Sequence, residues 1–193
     1  MLARVFRRPI RRGAPIPALF VDRDGVLNGR VVDGYVLGLE DLVVLDGVIP
    51  LLSEAASLGL PVVIISNQGC VSRGLLTEAG LDEVNQRLLR GLADAGVTVD
   101  AIYTCPHHPA AVDPGNRSCG CRKPLPGLVL AAARQLDLDL ARSVFLGDQD
   151  SDRRAAEAAG IPADRFFLVD GAMVPEGVAA EVTDALRRAV SGP

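Results

Sequence analysis

The chain has 193 residues, 49% of them apolar and 23% charged, and a formal net charge of −4. That length suffices for one domain with a full core, and mild negative charge argues against a general nucleic-acid grip, which needs a basic face. No stretch approaches the roughly 20 apolar residues of a membrane span, so the expected partners include neither nucleic acid nor membrane.

Met1 to Arg12 holds Arg4, Arg7, Arg8, Arg11 and Arg12 and no apolar run of signal-peptide length. Residues 1–15 read as a frayed or surface-lying extension, or as a basic arm for an anionic partner; residues 16–193 read as a single domain. Ile16 to Val21 is an apolar run ending at Asp22 and predicts a buried strand. Gly25, Asn28, Gly29, Asp33 and Gly34 mark a loop. Val48, Leu51, Leu52, Ala55 and Leu58 recur at helical spacing until Gly59. Pro61 to Ile65 predicts a second strand, followed by the polar, glycine-rich stretch from Ser66 to Gly74. Thr77 is a candidate N-cap for a helix to about Ala95, with Gly96 beyond it. Val97 to Tyr103 predicts a third strand, Gly127 to Gln135 a helix, Ser143 to Leu146 a fourth strand, Asp152 to Ala159 a helix, Arg165 to Val169 a fifth strand, and Glu181 to Val190 a last helix. Cys105 to Pro126 has no periodicity and predicts a long loop.

Strand–helix alternation with short, continuously apolar strands predicts an α/β fold: a Rossmann-like parallel sheet with helices on both faces. Ligands of such sheets bind outside the carboxyl ends of the strands, so the residues there carry most weight. After the first predicted strand come Asp22 and Asp24, which project to the same side of an extended backbone. Two carboxylates that close repel each other, and a magnesium ion between them would relieve this; loop-tip aspartates without a ligand are the bland alternative. After the second strand come Ser66, Asn67, Gln68 and Gly69, where a hydroxyl and backbone N–H groups could cradle phosphate oxygens. The loop after the third strand contains Lys123, the only lysine among 20 Lys and Arg residues. Where arginine serves everywhere else, a surviving lysine suggests a site that needs a compact ammonium beside a phosphoryl group. After the fourth strand come Asp148, Asp150, Ser151 and Asp152, which could ligate metal or cap the next helix. Together these strand ends supply the parts for moving a phosphoryl group to a carboxylate.

Cys105-x-His107, eleven residues, then Cys119-x-Cys121 supplies four ligands for a closed, structural zinc site, with His108 as an alternative to His107. Zinc would fold a loop that has no core of its own, and would fix Arg122 and Lys123, which follow Cys121 directly. Free thiols and surface imidazoles are the bland alternative, and Cys70 stands apart. With no signal peptide apparent, a reducing cytoplasm is the expected compartment, where such clusters bind metal more often than they form disulfides.

The motifs Asp22-Arg23-Asp24-Gly25, Ser66, Lys123 and Asp148 with Asp152 resemble, in order, those of the haloacid dehalogenase superfamily of phosphatases. The segments DRDGVLN, SNQ…RG, CPHHP and CRKP are similar to its subgroup of D,D-heptose 1,7-bisphosphate 7-phosphatases and histidinol-phosphate phosphatases. The stretch between His107 and Cys119 is similar in length to the heptose type. The resemblance implies a magnesium-dependent phosphatase of heptose biosynthesis with no large cap domain, complete as a monomer and acting on a small phosphorylated sugar. It implies Asp22 as nucleophile and Asp24 as acid and base. Magnesium would sit on Asp22, the Asp24 carbonyl and Asp148, and Ser66 and Lys123 would steady the phosphoryl oxygens. Asp152 would orient Lys123 or metal-bound water. Substrate positioning would fall to Asn28, Asp33, Tyr35, Asn67, Gln68, Arg73 and Arg122, and the zinc ligands would be Cys105, His107, Cys119 and Cys121. The sequence departs from the subgroup at Val26, at Gly69-Cys70, at Gln149, and by extra residues between Asn28 and Tyr35. A signalling receiver domain uses similar groups, but its accepting aspartate follows the third strand and it has no such cysteine loop. A zinc-stabilised binding module would not need the acid–base pair.

Overall fold

The computed structural model describes residues 1–6 and 14–191; Arg7, Arg8, Arg11 and Arg12 lie outside the described residues. In chain order the elements are β1 (Leu2–Val5), β2 (Leu19–Val21), α1 (Ile49–Ser57), β3 (Val62–Asn67), α2 (Glu78–Asp94), β4 (Ala101–Cys105), α3 (Gly127–Leu136), β5 (Val144–Gly147), α4 (Asp150–Ala159), β6 (Phe166–Leu168) and α5 (Glu176–Ser191). The six strands form one sheet in the order β1-β4-β3-β2-β5-β6. The pairs β2–β3, β2–β5, β3–β4 and β5–β6 are parallel.

Alternation along the strands divides the core in two. Leu19, Val21, Val62, Ile64, Val144 and Leu146 face α1, α2 and α5. Phe20, Val63, Ile65 and Phe145 face α3 and α4. Both faces being covered explains why the strands read as unbroken apolar runs. Each such side chain, fully buried, stabilises the fold by about 1.5–3 kcal/mol. The Thr77 hydroxyl accepts from Gly80 N at 3.0 Å and starts α2, as its sequence position predicts.

The sheet is mixed rather than wholly parallel. Leu2–Val5, assigned from sequence to an extension outside the domain, pairs antiparallel with β4, Leu2 opposite Thr104 and Val5 opposite Ala101. Arg4 in that strand pairs with Asp82 of α2. The first predicted strand is shorter than expected because Pro17 has no N–H to give to the ladder; Ile16 makes only an isolated bridge to Leu138. The last helix begins five residues earlier than predicted, just after Pro175, with Gly177 tolerated in its first turn. Among the described residues no helix is long and apolar enough to cross a membrane, and no cap domain of substantial size interrupts the sheet order.

Candidate active site

The chain winds from β2 outward through β3 to β4, then crosses back to β5 and β6 on the other side. The crevice at this switch point is where a parallel sheet receives ligands, and Asp22 stands there at the end of β2. A cleft of about 380 Å³ opens above it, lined by Asp22, Asp24, Asp33, Tyr35, Asn67, Arg73, Arg122, Lys123 and Asp152 among others.

Asp22 is buried, and its Oδ1 accepts from Arg23 N at 2.7 Å and from Lys123 Nζ at 2.6 Å. Lys123 Nζ also lies 2.6 Å from Asp152 Oδ1 and donates to the Ile65 carbonyl at 3.1 Å. Burial alone would lower the lysine, but the carboxylates on either side hold it above its usual range. Burial pushes Asp22 up to about 7 even with the ammonium beside it, and the charges of Asp152 and Asp24 add to this. Asp152 does a second job: its Oδ2 accepts from the backbone N–H groups of Asp148 and Gln149 at 3.1 and 3.0 Å, capping α4. Asp152 thus touches both Lys123 and the start of α4.

Asp24 is surrounded by donors. Its Oδ1 accepts from Arg23 Nη2 at 2.9 Å and Asn28 Nδ2 at 3.0 Å, and its Oδ2 from Gln68 Nε2 at 2.5 Å. Burial would push this carboxyl up, but the Arg23 guanidinium and these hydrogen bonds hold it below the usual range. Arg23 is fully buried, and its Nη1 reaches Asn85 of α2 at 3.0 Å. Nothing in the local hydropathy marks Arg23, because a buried charge leaves no trace there. Asn28 and Gln68, expected to touch substrate, are instead buried beneath the cleft, where each donates to Asp24. Gln68 Nε2 also donates to the buried Ser66 hydroxyl at 2.9 Å. Asn67 lines the cleft and grips the backbone of Lys123 on both sides, Nδ2 to the carbonyl and Oδ1 from the N–H, both at 3.0 Å.

Asp148 follows β5 and packs against the Asp22–Gly25 turn so closely that a side chain at Gly25 would clash: a Cβ there would lie 1.8 Å from Asp148 Oδ2. Gly25 also has φ +94°, a conformation suited to glycine. Burial pushes Asp148 up, in opposition to the Arg30 guanidinium, which pairs with its Oδ2. Its Oδ1 is buried without a hydrogen-bond partner. Carboxylate oxygens of Asp22, Asp148 and Asp152 lie within 4.8 Å of one another. A crowded carboxylate group with an orphaned buried oxygen fits a hard divalent cation.

On the rim, the Arg73 guanidinium stands 5.8 Å above the Tyr35 ring. His108, held below its usual range by burial and by Arg122 and Arg73, lies near both. Arg30 and Gln149 also line the cleft; neither was among the sequence-predicted site residues.

A second cluster lies in the loop after β4. Cys105, His107, Cys119 and Cys121 converge. Cys105 Sγ is 3.6 Å from His107 Nδ1 and 3.6 Å from Cys119 Sγ. Cys121 Sγ is 3.3, 3.4 and 3.4 Å from Cys105 Sγ, Cys119 Sγ and His107 Nδ1. Four ligands about a tetrahedral zinc at usual bond lengths stand roughly 3.6–3.8 Å apart; the set is at or slightly inside that spacing and fits the ion after a small outward shift. His107 belongs to the cluster, whereas His108 Nδ1 accepts from Ala110 N. The loop reaches the cleft directly: Arg122 N donates to Cys119 Sγ at 3.3 Å, and Arg122 Nη1 to the His107 carbonyl at 3.1 Å.

Residues 17–160 match the model of the haloacid dehalogenase-like hydrolase family. The chain is 39% identical over 166 residues to a Yersinia pestis protein named D-glycero-beta-D-manno-heptose-1,7-bisphosphate 7-phosphatase, covering 86% of this chain and 87% of that one. It is 40% identical over 147 residues to the protein of that name from Escherichia coli K12, covering 76% of each. The structure of the D,D-heptose 1,7-bisphosphate phosphatase from B. bronchiseptica, complexed with magnesium and phosphate, superposes with a TM-score of 0.72 at 33% identity, covering 89% of this chain and 99% of that one. Motif order, sheet topology and family match agree: the chain belongs to the haloacid dehalogenase-like hydrolases.

Proposed function

We propose that this enzyme removes the C7 phosphate of D-glycero-D-manno-heptose 1,7-bisphosphate through a phospho-aspartate on Asp22. The observation that carries the chemistry is the buried Asp22–Lys123 pair at the end of the central strand. The names of the relatives at about 40% identity support the substrate.

Asp22 Oδ2, which takes neither of the bonds to Oδ1, attacks phosphorus while the bond to the sugar oxygen breaks. Lys123 steadies charge on the phosphoryl oxygens, with the Ser66 hydroxyl beside it. Asp24 gives a proton to the leaving sugar oxygen. It then takes one from the water that cleaves the aspartyl phosphate, releasing inorganic phosphate and restoring Asp22. Its donors hold Asp24 ionised in the free enzyme, and an arriving phosphate dianion would push it up toward the acid form. Asn28, Gln68 and Arg23 hold its carboxylate in place. Asp22, the Asp24 carbonyl and Asp148 would hold magnesium, which when bound offsets phosphoryl charge. Arg73, Arg122, Asp33 and Tyr35 surround the sugar. Cys105, His107, Cys119 and Cys121 would hold zinc, which stiffens the loop that carries Arg122 and Lys123. We place residues 16–193 in one catalytic domain to which β1 adds an edge. We read the enzyme as a monomer of the cytoplasm, where unpaired thiols stay reduced.

The test is phosphate release, with magnesium, from both anomers of the heptose bisphosphate and from histidinol phosphate. The heptose compound is expected to turn over fastest; faster turnover of histidinol phosphate would overturn the assignment.

A further inference from the structure

The pocket that receives the transferring phosphoryl group is supplied with buried partners: Asp22, Ser66, Lys123 and Asp152 are all almost fully enclosed. Arg30 stands apart from it. Its side chain is 41% exposed, on the solvent side of Asp148, whose own side chain is 13% exposed. Arg30 belongs to the segment between Asn28 and Tyr35, and lines the open cleft together with Val31, Asp33, Gly34 and Tyr35 of that segment. Among the described residues its one carboxylate partner is Asp148. With the Gln149 amide oxygen turned toward it, a further hydrogen bond runs from Arg30 Nη1 to that oxygen at 3.2 Å.

Asp148 is also the carboxylate whose other oxygen is buried and unpartnered, and which the reading above assigns to the divalent cation. Guanidinium and cation therefore compete electrostatically for one negative charge. A bound cation would weaken the hold of Asp148 on Arg30 and leave the guanidinium's donors facing the open cleft that it lines. A guanidinium's planar fork matches a pair of anionic oxygens, as a phosphate presents.

Resting on the proposed substrate class, we propose that Arg30 reads a second phosphate on the substrate, remote from the one transferred, and that Asp148 is its resting partner in the metal-free enzyme. The three guanidiniums of the cleft then divide the work: Arg122 is tied to the cysteine loop through the His107 carbonyl, Arg73 stacks on Tyr35, and Arg30 is the one whose partner is released by loading the enzyme.

The experiment compares kcat/KM for heptose 1,7-bisphosphate with that for heptose 7-phosphate, in wild type and in Arg30→Gln. A charged, forked contact to one phosphate predicts that the bisphosphate-to-monophosphate ratio falls about tenfold or more in the variant, through KM. An unchanged ratio, with both compounds slowed alike, would overturn the proposal in favour of an effect on the metal site. Magnesium binding followed by calorimetry without substrate is the second readout. Loss of the competing cation predicts several-fold tighter binding in Arg30→Gln, and equal or weaker binding would overturn the resting contact. Wild type inactive on both heptose compounds would refute the substrate reading itself, and the calorimetric result would still decide whether Arg30 competes for Asp148.

Discussion

Two clusters of ligand-type side chains sit within one stretch of loop of each other, and they balance charge in opposite ways. Around Asp22 the protein provides its own cation, because Lys123 lies between Asp22 and Asp152 at 2.6 Å from each. In the 105–121 loop, four ligand atoms face one another, and among the described contacts of the sulfurs there is no Lys or Arg side chain. The bond they share, together with burial, pushes the Cys105 thiol up, while the same bond, against burial, holds Cys121 down to about 5. The first cluster is partly neutralised from within, by one ammonium between two carboxylates. The second has ligand atoms placed to be closed by an ion such as the proposed zinc. The difference separates a place where charge must change during a reaction from a place where it must stay fixed.

The sharpest way to break that contrast is Asp22→Asn. Phosphate release should fall by about four orders of magnitude, while zinc content by elemental analysis stays at that of wild type. Residual turnover above about a hundredth of wild type would mean that the nucleophile lies elsewhere. Cys119→Ser should act in the reverse sense, losing zinc and lowering turnover on the order of tenfold to a hundredfold by misplacing Lys123. Full activity in a zinc-free variant would show the two clusters to be independent. The mildest probe is Asn67→Ala, which removes both side-chain bonds to the Lys123 backbone. A loss of about 1–3 kcal/mol is expected, read as a fall of several degrees in melting temperature, together with a few-fold slower turnover. An unaltered melting curve would show that the cysteine loop alone holds the lysine.

Much of this was legible in the sequence because chemistry at strand ends is local. Asp22 and Asp24 follow an apolar run, Lys123 is conspicuous by the absence of other lysines, and the cysteine spacing needs no knowledge of the fold. What escaped reading depends on partners far along the chain. β1 is four residues with an arginine inside, and its partner β4 is about a hundred positions away, so no local pattern marks it. Arg23 looks like any charged residue until Asp24 and Asn85 enclose it. Arg30 is one arginine of many, and only the fold carries it to Asp148. Asn28 and Gln68 were recognised as belonging to the site, but which side of the cleft floor they occupy is a matter of packing, and packing put them underneath.

The antiparallel strand at the start of the chain has a consequence for the molecule in a crowded solution. A sheet ending on β4 would present a long row of open backbone donors and acceptors to any passing strand. Here that row is occupied by β1, and the far side ends on β6, only three residues long. Both borders are thus short, and one carries Arg4, paired with Asp82. Short, charged borders discourage sheet-to-sheet association, so a chain that is nearly half apolar can keep its central strands buried without offering them as a template for aggregation.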